Sequence, residues 1–263
     1  MNLALITVNY HSRDLVDRLL RCLDAQTQKH FTITVIDNDE DNRGFAGGCN
    51  AGIRQALAQG AEWVLLINPD TTVEPDFIAS LRVPAEPSIA GIPLREGGHV
   101  VAGGIVRWLR STLSHTSDPK KATYVIGAGM LIHREVFAKI GMLDERYFLY
   151  FEDADFSARA RRAGVPVHFL SGPVIEHGVS QSTKSLGSAV LLRYHARNAL
   201  LFNWNNGPWW VKIALPFWSF FAMIKQFLKL LLMPARRPQS RAILAGILDF
   251  YVHRFGKIHH HRD

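Results

Sequence analysis

The side chains best suited to chemistry in this chain of 263 residues stand where apolar runs stop. Trp63–Ile67 is five apolar residues without alternation, the pattern of a strand buried on both faces in a parallel sheet. In Asn68-Pro69-Asp70, the proline ends the ladder because it has no N–H. Asp70 is left at the carboxyl edge, where open α/β sheets bind their ligands. A hard carboxylate there suits a divalent cation, and such a cation suits a diphosphate. Val174-Ile175-Glu176-His177-Gly178 offers an imidazole that can complete a metal site begun by Asp70, although a solitary histidine is also ordinary surface or core. Glu152, Asp153 and Asp155 follow the run Phe148-Leu149-Tyr150-Phe151. Apolar walls desolvate a carboxylate and raise its basicity, which suits a general base. Acidic residues also favour a first helical turn, and these three cannot all face one way on a helix, so one or two of them serve structure.

Two further segments suit a nucleotide. Thr7-Val8-Asn9-Tyr10 and Asp37-Asn38 close neighbouring strand candidates and bring a carboxylate and amides to one crevice. A carboxylate can accept the imide N–H of uracil or thymine, and Asp-Asn is also common turn chemistry. The segment Asn42-Arg43-Gly44-Phe45-Ala46-Gly47-Gly48-Cys49-Asn50-Ala51-Gly52 is rich in small residues that let backbone N–H groups approach a phosphate or sugar, with Arg43 to neutralise an anion. It is not the spacing of a dinucleotide fingerprint.

The elements that must position these groups alternate. Leu3–Asn9, Phe31–Asp37 and Trp63–Ile67 read as strands. Residues 14–26 carry leucines at amphipathic spacing, and residues 50–59 form a second helix entered from the Gly-rich turn. This is the doubly wound α/β pattern with right-handed crossovers. Residues 84–121 read as variable and loop-like, with short strand candidates around 99–110. Residues 124–133 form a strand region broken by Gly127 and Gly129, residues 153–163 a helix closed by Gly164, and residues 165–170 a further strand.

The net charge of +7 is unevenly spread. Residues 184–263 hold 12 of the 30 basic residues but only 2 of the 23 acidic ones, so the body is slightly acidic and the tail strongly basic. That argues against a nucleic-acid-binding body and for a tail that meets anionic lipid. The tail's aromatics, among them Trp204, Trp209, Trp210, Phe217 and Phe221, alternate with Lys212, Lys225 and Lys229, which suits a membrane interface. Its uncharged, mainly apolar stretch at residues 213–224 is too short for a span of about 20 residues. Arg193 and Arg197 join these lysines as candidates for lipid headgroup contact; packing of the segment on the body or on a second subunit is the plainer alternative. Two cysteines, Cys22 and Cys49, and an N-terminus without a basic region imply a reducing compartment and no signal peptide.

Taken together, these motifs resemble the inverting nucleotide-sugar glycosyltransferases of family 2, which have the GT-A fold, and most of all their bacterial rhamnosyltransferase-like subgroup, which builds surface polysaccharide such as O-antigen. The resemblance runs over about residues 1–180 and rests on Val8-Asn9-Tyr10 with Ser12, Asp37-Asn38, residues 42–52, Asn68-Pro69-Asp70, Gly127-Ala128-Gly129-Met130, Phe151-Glu152-Asp153-Ala154-Asp155 and His177. It implies a GT-A catalytic domain over residues 1–183, with a nucleotide-sugar half to about residue 83 and an acceptor half beyond it, and a membrane-associating helical region over 184–263. By resemblance, Asp37 holds a pyrimidine base, Asp70 and His177 bind Mg²⁺ or Mn²⁺, and Asp153 is the general base. The donor, linked to dTDP or UDP, is expected against Val8, Asn9, Tyr10, Asp37, Asn38, Arg43, Gly44, Phe45, Ala46, Asn50, Asn68, Asp70 and Gly129, with Glu152 and Asp155 on the acceptor side. The expected reaction moves a sugar, with rhamnose the candidate, to a lipid-linked or polysaccharide acceptor at the inner face of the cytoplasmic membrane. Asn68 stands where the metal-binding element has an acid in much of the family. A nucleotidyltransferase would need a basic Gly-rich segment after the first strand, where Asn9-Tyr10-His11-Ser12 stands instead. A catalytically inactive subunit of a membrane complex would not need Asp37, Asp70, Asp153 and His177 together.

Overall fold

The computed structural model describes residues 2–108, 112–178 and 188–258. The boundary expected at 183/184 lies outside the described residues. In chain order, β1 (Leu3–Asn9), α1 (Arg13–Asp24), β2 (Phe31–Asp37), α2 (Gly44–Ala58) and β3 (Trp63–Ile67) form the doubly wound start. β4 (Thr71–Thr72), α3 (Phe77–Ser80), β5 (Ile89–Gly91), β6 (Leu94–Glu96), β7 (His99–Val101), β8 (Gly103–Arg107) and β9 (Thr112–Thr116) follow. Then come β10 (Gly129–His133), α4 (Arg134–Ile140), α5 (Glu152–Arg162), β11 (Val167–Phe169) and β12 (Ile175–His177). Three helices close the chain: α6 (Ser188–Asn206), α7 (Trp209–Leu232) and α8 (Arg237–Tyr251).

The central sheet has the order β11-β5-β10-β3-β1-β2, and only β10 runs against the rest. Every residue of β1 and β3 is buried. Alternate side chains enter separate cores, with Leu3, Leu5, Trp63, Leu65 and Ile67 below and Ala4, Ile6, Val8, Val64 and Leu66 above. Each such Leu or Ile contributes about 1.5–3 kcal/mol by leaving water. The register pairs Asn9 with Asp37, so both strand ends open on one edge. A second sheet, β4-β12-β6-β7, sits beside that edge and pairs His177 with Thr71.

Three expectations need correction. The Gly-rich segment is not a turn: α2 begins at Gly44, because its glycines press the helix onto the sheet. A Cβ at Gly48 would lie 2.7 Å from Val8, and one at Gly52 2.4 Å from Ile6. Residues 84–121 are not a variable loop; they supply β5 to the central sheet, β6 and β7 to the second sheet and the separate β8–β9 pair, in strands of three to five residues too short to carry a period. The tail's first helix is part of the body. Arg197 is 1% exposed, so it is no lipid headgroup contact, and Arg193, partly exposed, is paired with Asp249 at 2.6 Å. Tyr194 stacks on Phe148 and Phe202 on Trp108, while α8 packs on α6 so closely that a Cβ at Gly246 would lie 2.4 Å from the Arg193 carbonyl.

Candidate active site

A cavity of about 320 Å³ opens at the carboxyl edge of the sheet. β1 brings Val8 and, just beyond it, Tyr10; the segment after β2 brings Asn38, Asn42 and the start of α2, Gly44 and Phe45. The segment after β3 brings Asn68 and Asp70, and β12 brings His177. Gly127 and Ala128 line it from the turn before β10, and Glu152 and Asp153 from the first turn of α5. Asp70 and Asp153 therefore face one cavity.

Asp70 is 1% exposed, and its Oδ1 lies 3.4 Å from Nε2 of His177. Nδ1 of His177 meets Glu96 Oε1 at 2.8 Å, and the other Glu96 oxygen meets His115 Nδ1 at 2.8 Å. Burial works against a charge on His177, but Asp70 and Glu96 outweigh it and raise its pKa to about 9. Burial likewise opposes a charge on Glu96, but the two imidazoles hold it down at about 2. The bond to Glu96 raises His115 in turn. The donor set passes a test for a cation. With Glu96 holding the Nδ1 proton, Nε2 of His177 presents a lone pair toward a carboxylate oxygen, an arrangement that requires a proton or a metal between them. Among the described residues there is no group of three or more metal-ligating side chains, so any cation here would take its remaining ligands from water and substrate.

Asp153 accepts from the Gly127 N–H at 3.0 Å and from the Ala154 N–H at 2.7 Å. Burial raises its pKa nonetheless. Glu152 beside it is 6% exposed, its Oε2 has no hydrogen-bond partner, and burial raises it well above the carboxylate range. The loop before them is strained: Phe148, Tyr150 and Phe151 have φ of 63°, 71° and 74°, a region non-glycine residues occupy at a cost of about 1–3 kcal/mol each.

The remaining expected residues lie off the cavity wall. Asp37 is exposed at the end of β2, held by the Asp39 N–H and by Asn9 Nδ2, and those bonds lower its pKa. Asn9 is buried and acts as a brace, donating to Asp37 and Asp39 and accepting from Ser12. Arg43 is exposed and paired with Asp41 at 2.9 Å. Four assignments are corrected. Ala46 belongs to the core. Asn50 is buried and ties α2 to the Leu143 backbone and Glu145. Gly129 sits under the second sheet, against Leu94 and Ile175. Asp155 is 1% exposed and bonded to Tyr147, Arg159 and Asn206, so it fastens α5 rather than facing an acceptor. The N–H groups at the start of α2 are also engaged, Gly44 with Asn42 and Phe45 with the Phe148 carbonyl. Sequence reasoning missed Glu96, His115, Tyr124 and His195, all on the cavity wall. Leu94-Arg95-Glu96-Gly97-Gly98-His99-Val100-Val101 does carry a hairpin signal, a Gly-Gly pair between apolar strands, that would have placed Glu96 at a strand end.

A family model described as "Glycosyltransferase like family 2" matches residues 1–199. The dTDP-rhamnosyl transferase RfbF of Shigella flexneri is 29% identical over 178 residues, 61% of this chain and 60% of that protein. The chain thus spans about three-fifths of that relative's length. The N-acetylglucosaminyl-diphospho-decaprenol L-rhamnosyltransferase of Mycobacterium tuberculosis is 23% identical over 265 residues, 79% of this chain and 86% of that protein. Among solved structures, GalNAc-T7 with UDP, GalNAc and Mn²⁺ has a TM-score of 0.58 at 12% identity, covering 97% of this chain and 56% of that one. The mannosyltransferase PcManGT of Pyrobaculum calidifontis, with GDP-Man and Mn²⁺, has a TM-score of 0.53 at 11% identity, covering 96% and 87%. At such identities these two speak for the fold, which is GT-A.

Proposed function

The chain belongs to glycosyltransferase family 2 and is a glycosyltransferase, and from that premise we propose that it inverts configuration as it moves a sugar, with rhamnose the first candidate, from a dTDP- or UDP-linked donor to a glycan hydroxyl. The observation that carries this reading is the meeting of Asp70, His177 and Asp153 on one cavity. Val8, Tyr10 and Asn38 form the wall toward Asp37, whose exposed carboxylate suits a pyrimidine imide N–H. Asp70 and His177 would hold a divalent cation, which when bound offsets charge on the departing diphosphate. Asp153 takes the proton of the acceptor hydroxyl as its oxygen attacks the anomeric carbon opposite the leaving group. One carboxylate of raised basicity suffices, in contrast to the paired carboxylates of hydrolases. Gly127 keeps Asp153 aimed by its N–H and leaves room beside Phe45, where its own Cβ would come within 3.1 Å of the ring.

The tail supports an acceptor at a membrane surface. α7 is 24 residues long and apolar enough to cross a bilayer by length and composition, which the count of uncharged residues had excluded. Its pattern favours lying in the interface. Phe217, Phe220, Phe221, Phe227 and Leu231 are exposed on one face, opposite Val211, Leu215 and Ser219, and Lys212, Lys225 and Lys229 flank that inner stripe along its length. This reading places the enzyme on the inner, anionic leaflet, with a lipid-linked or polysaccharide acceptor.

Calorimetry with UDP and dTDP, with and without Mn²⁺, paired with a transfer assay, tests the assignment. Asp70→Ala should weaken Mn²⁺-dependent nucleotide binding about tenfold or more. Asp153→Asn should keep that binding while turnover falls about 10²–10⁴-fold, the usual worth of a general base. Metal-independent binding in the wild type, or an active Asp153→Asn enzyme, would remove the respective role.

A further inference from the structure

We propose that Arg197 and Asn198, on the tail helix α6, are positioning residues for transfer: they clamp the strained loop of residues 146–151 and thereby set Glu152 and Asp153 against the donor side of the cavity. The proposal rests on the glycosyltransferase reading above. Asn198 points a single amide Nδ2 at three loop carbonyls, those of Tyr147 at 2.8 Å, Leu149 at 2.7 Å and Tyr150 at 3.1 Å. Its Oδ1 accepts from Arg197 Nε at 2.9 Å, which fixes the amide's orientation. The other four donors of Arg197 go to the carbonyls of Arg146, Tyr147, Arg254 and Gly256. A guanidinium that is 1% exposed and satisfied by carbonyls instead of a carboxylate is costly to bury, which is unexplained by surface or core packing alone.

The loop it grips explains that cost. Phe148, Tyr150 and Phe151 hold positive φ without being glycine, and such strain persists only when the surroundings over-determine it. From the other side, the Phe148 carbonyl accepts the Phe45 N–H at 2.8 Å at the start of α2. The loop is therefore stretched between the tail and the helix that borders the donor side. Phe148, Leu149, Tyr150 and Phe151 all line the cavity, and Phe151 leads directly into Glu152 and Asp153. Loosening the clamp lets the loop relax and moves the carboxylates without touching Asp70 or His177.

The test compares Asn198→Ala and Arg197→Lys with Arg193→Ala, which breaks the ion pair to Asp249 one turn before Arg197 on α6 and removes no bond to the loop. All are made in the full chain. Measured are melting temperature, Kd for UDP and dTDP with Mn²⁺, nucleoside diphosphate release from dTDP-rhamnose and UDP-GlcNAc, and hydrogen exchange of the amides of residues 147–151. Asn198→Ala should lose about tenfold to a hundredfold in turnover, as small misplacements of reacting groups do, with Kd within about twofold and faster exchange confined to the loop. Arg197→Lys, which keeps charge and bulk but not the fork, should lose less. Arg193→Ala should lower the melting temperature and keep turnover. Asn198→Ala turnover within about twofold of wild type, a loss no larger than that of Arg193→Ala at equal destabilisation, or unchanged loop exchange overturns the clamp. A wild type that binds neither nucleotide and releases none from either donor overturns the glycosyltransferase reading instead, and loop exchange in the variants still decides the clamp.

Discussion

Glu152 is the residue whose environment is most at odds with its charge. It is buried, one carboxyl oxygen lacks a partner, and Asp153 stands next to it. Burial first, and the Asp153 charge second, raise its pKa. The folded state therefore binds a proton that the unfolded state gives up in the ordinary carboxylate range, so stability falls as pH rises from that range toward neutrality and above. Glu152→Gln removes the titration. Its stabilisation relative to wild type, measured by denaturant midpoint, should be larger at pH 8 than at pH 5; a difference independent of pH would place the proton elsewhere. The sequence disclosed that a carboxylate cluster followed an aromatic run, and the family resemblance, not the pattern, singled out Asp153 within it. It did not disclose which acids were structural. Asp155 is spoken for by Tyr147 and Asn206, partners 8 and 51 residues away, and no local pattern encodes such contacts.

Among the elements, α2 shows what glycine does here. Gly44 opens the helix at φ +72°, and a Cβ there would lie 2.2 Å from the Phe148 carbonyl oxygen, the same oxygen that caps the Phe45 N–H. Gly44→Ala should cost about 1–3 kcal/mol through backbone strain and push the 146–151 loop off its place. Urea unfolding checks the first effect, and a drop in turnover larger than the drop in nucleotide affinity checks the second; a variant with wild-type stability and turnover would show that the contact is slack. The three long strands were legible to the residue: β1 and β3 because a strand buried on both faces is a continuous apolar run bounded by polar stops, and β2, a largely open edge strand, because it is a run of β-branched residues. The start of α2 was not, since glycines that allow close helix–sheet approach read locally as a turn. β5 was hidden for another reason: three residues between Pro87 and Pro93 carry no periodicity, and only tertiary pairing with β10 and β11 makes them a strand.

At the scale of the molecule, the tail is two things joined. α6 and α8 complete the catalytic body, and α7 leaves an apolar face outside it. Composition located the basic charge and the aromatics in the tail and divided the chain at about residue 183; α6 packs on the loop that leads into the site. Removing everything after about residue 188 would thus delete the groups that hold the 146–151 loop, and lost membrane binding in such a protein would mean little. Surface variants on α7 isolate the question. Phe217, Phe220 and Phe221 are 66%, 59% and 66% exposed, so replacing all three with Ser touches little of the core. The triple variant should keep its melting temperature within a few degrees and lose most co-sedimentation with phosphatidylglycerol-containing vesicles. Lys225→Glu with Lys229→Glu should weaken binding to the same vesicles about tenfold or more, since each basic residue near an anionic surface is worth about 1 kcal/mol. The lysine effect should shrink as salt rises toward 1 M, where the Debye length is about 3 Å, whereas the phenylalanine effect should not. Undiminished binding of the triple-Ser variant, or equal binding of wild type to neutral and anionic vesicles, would assign the α7 face to a protein partner instead.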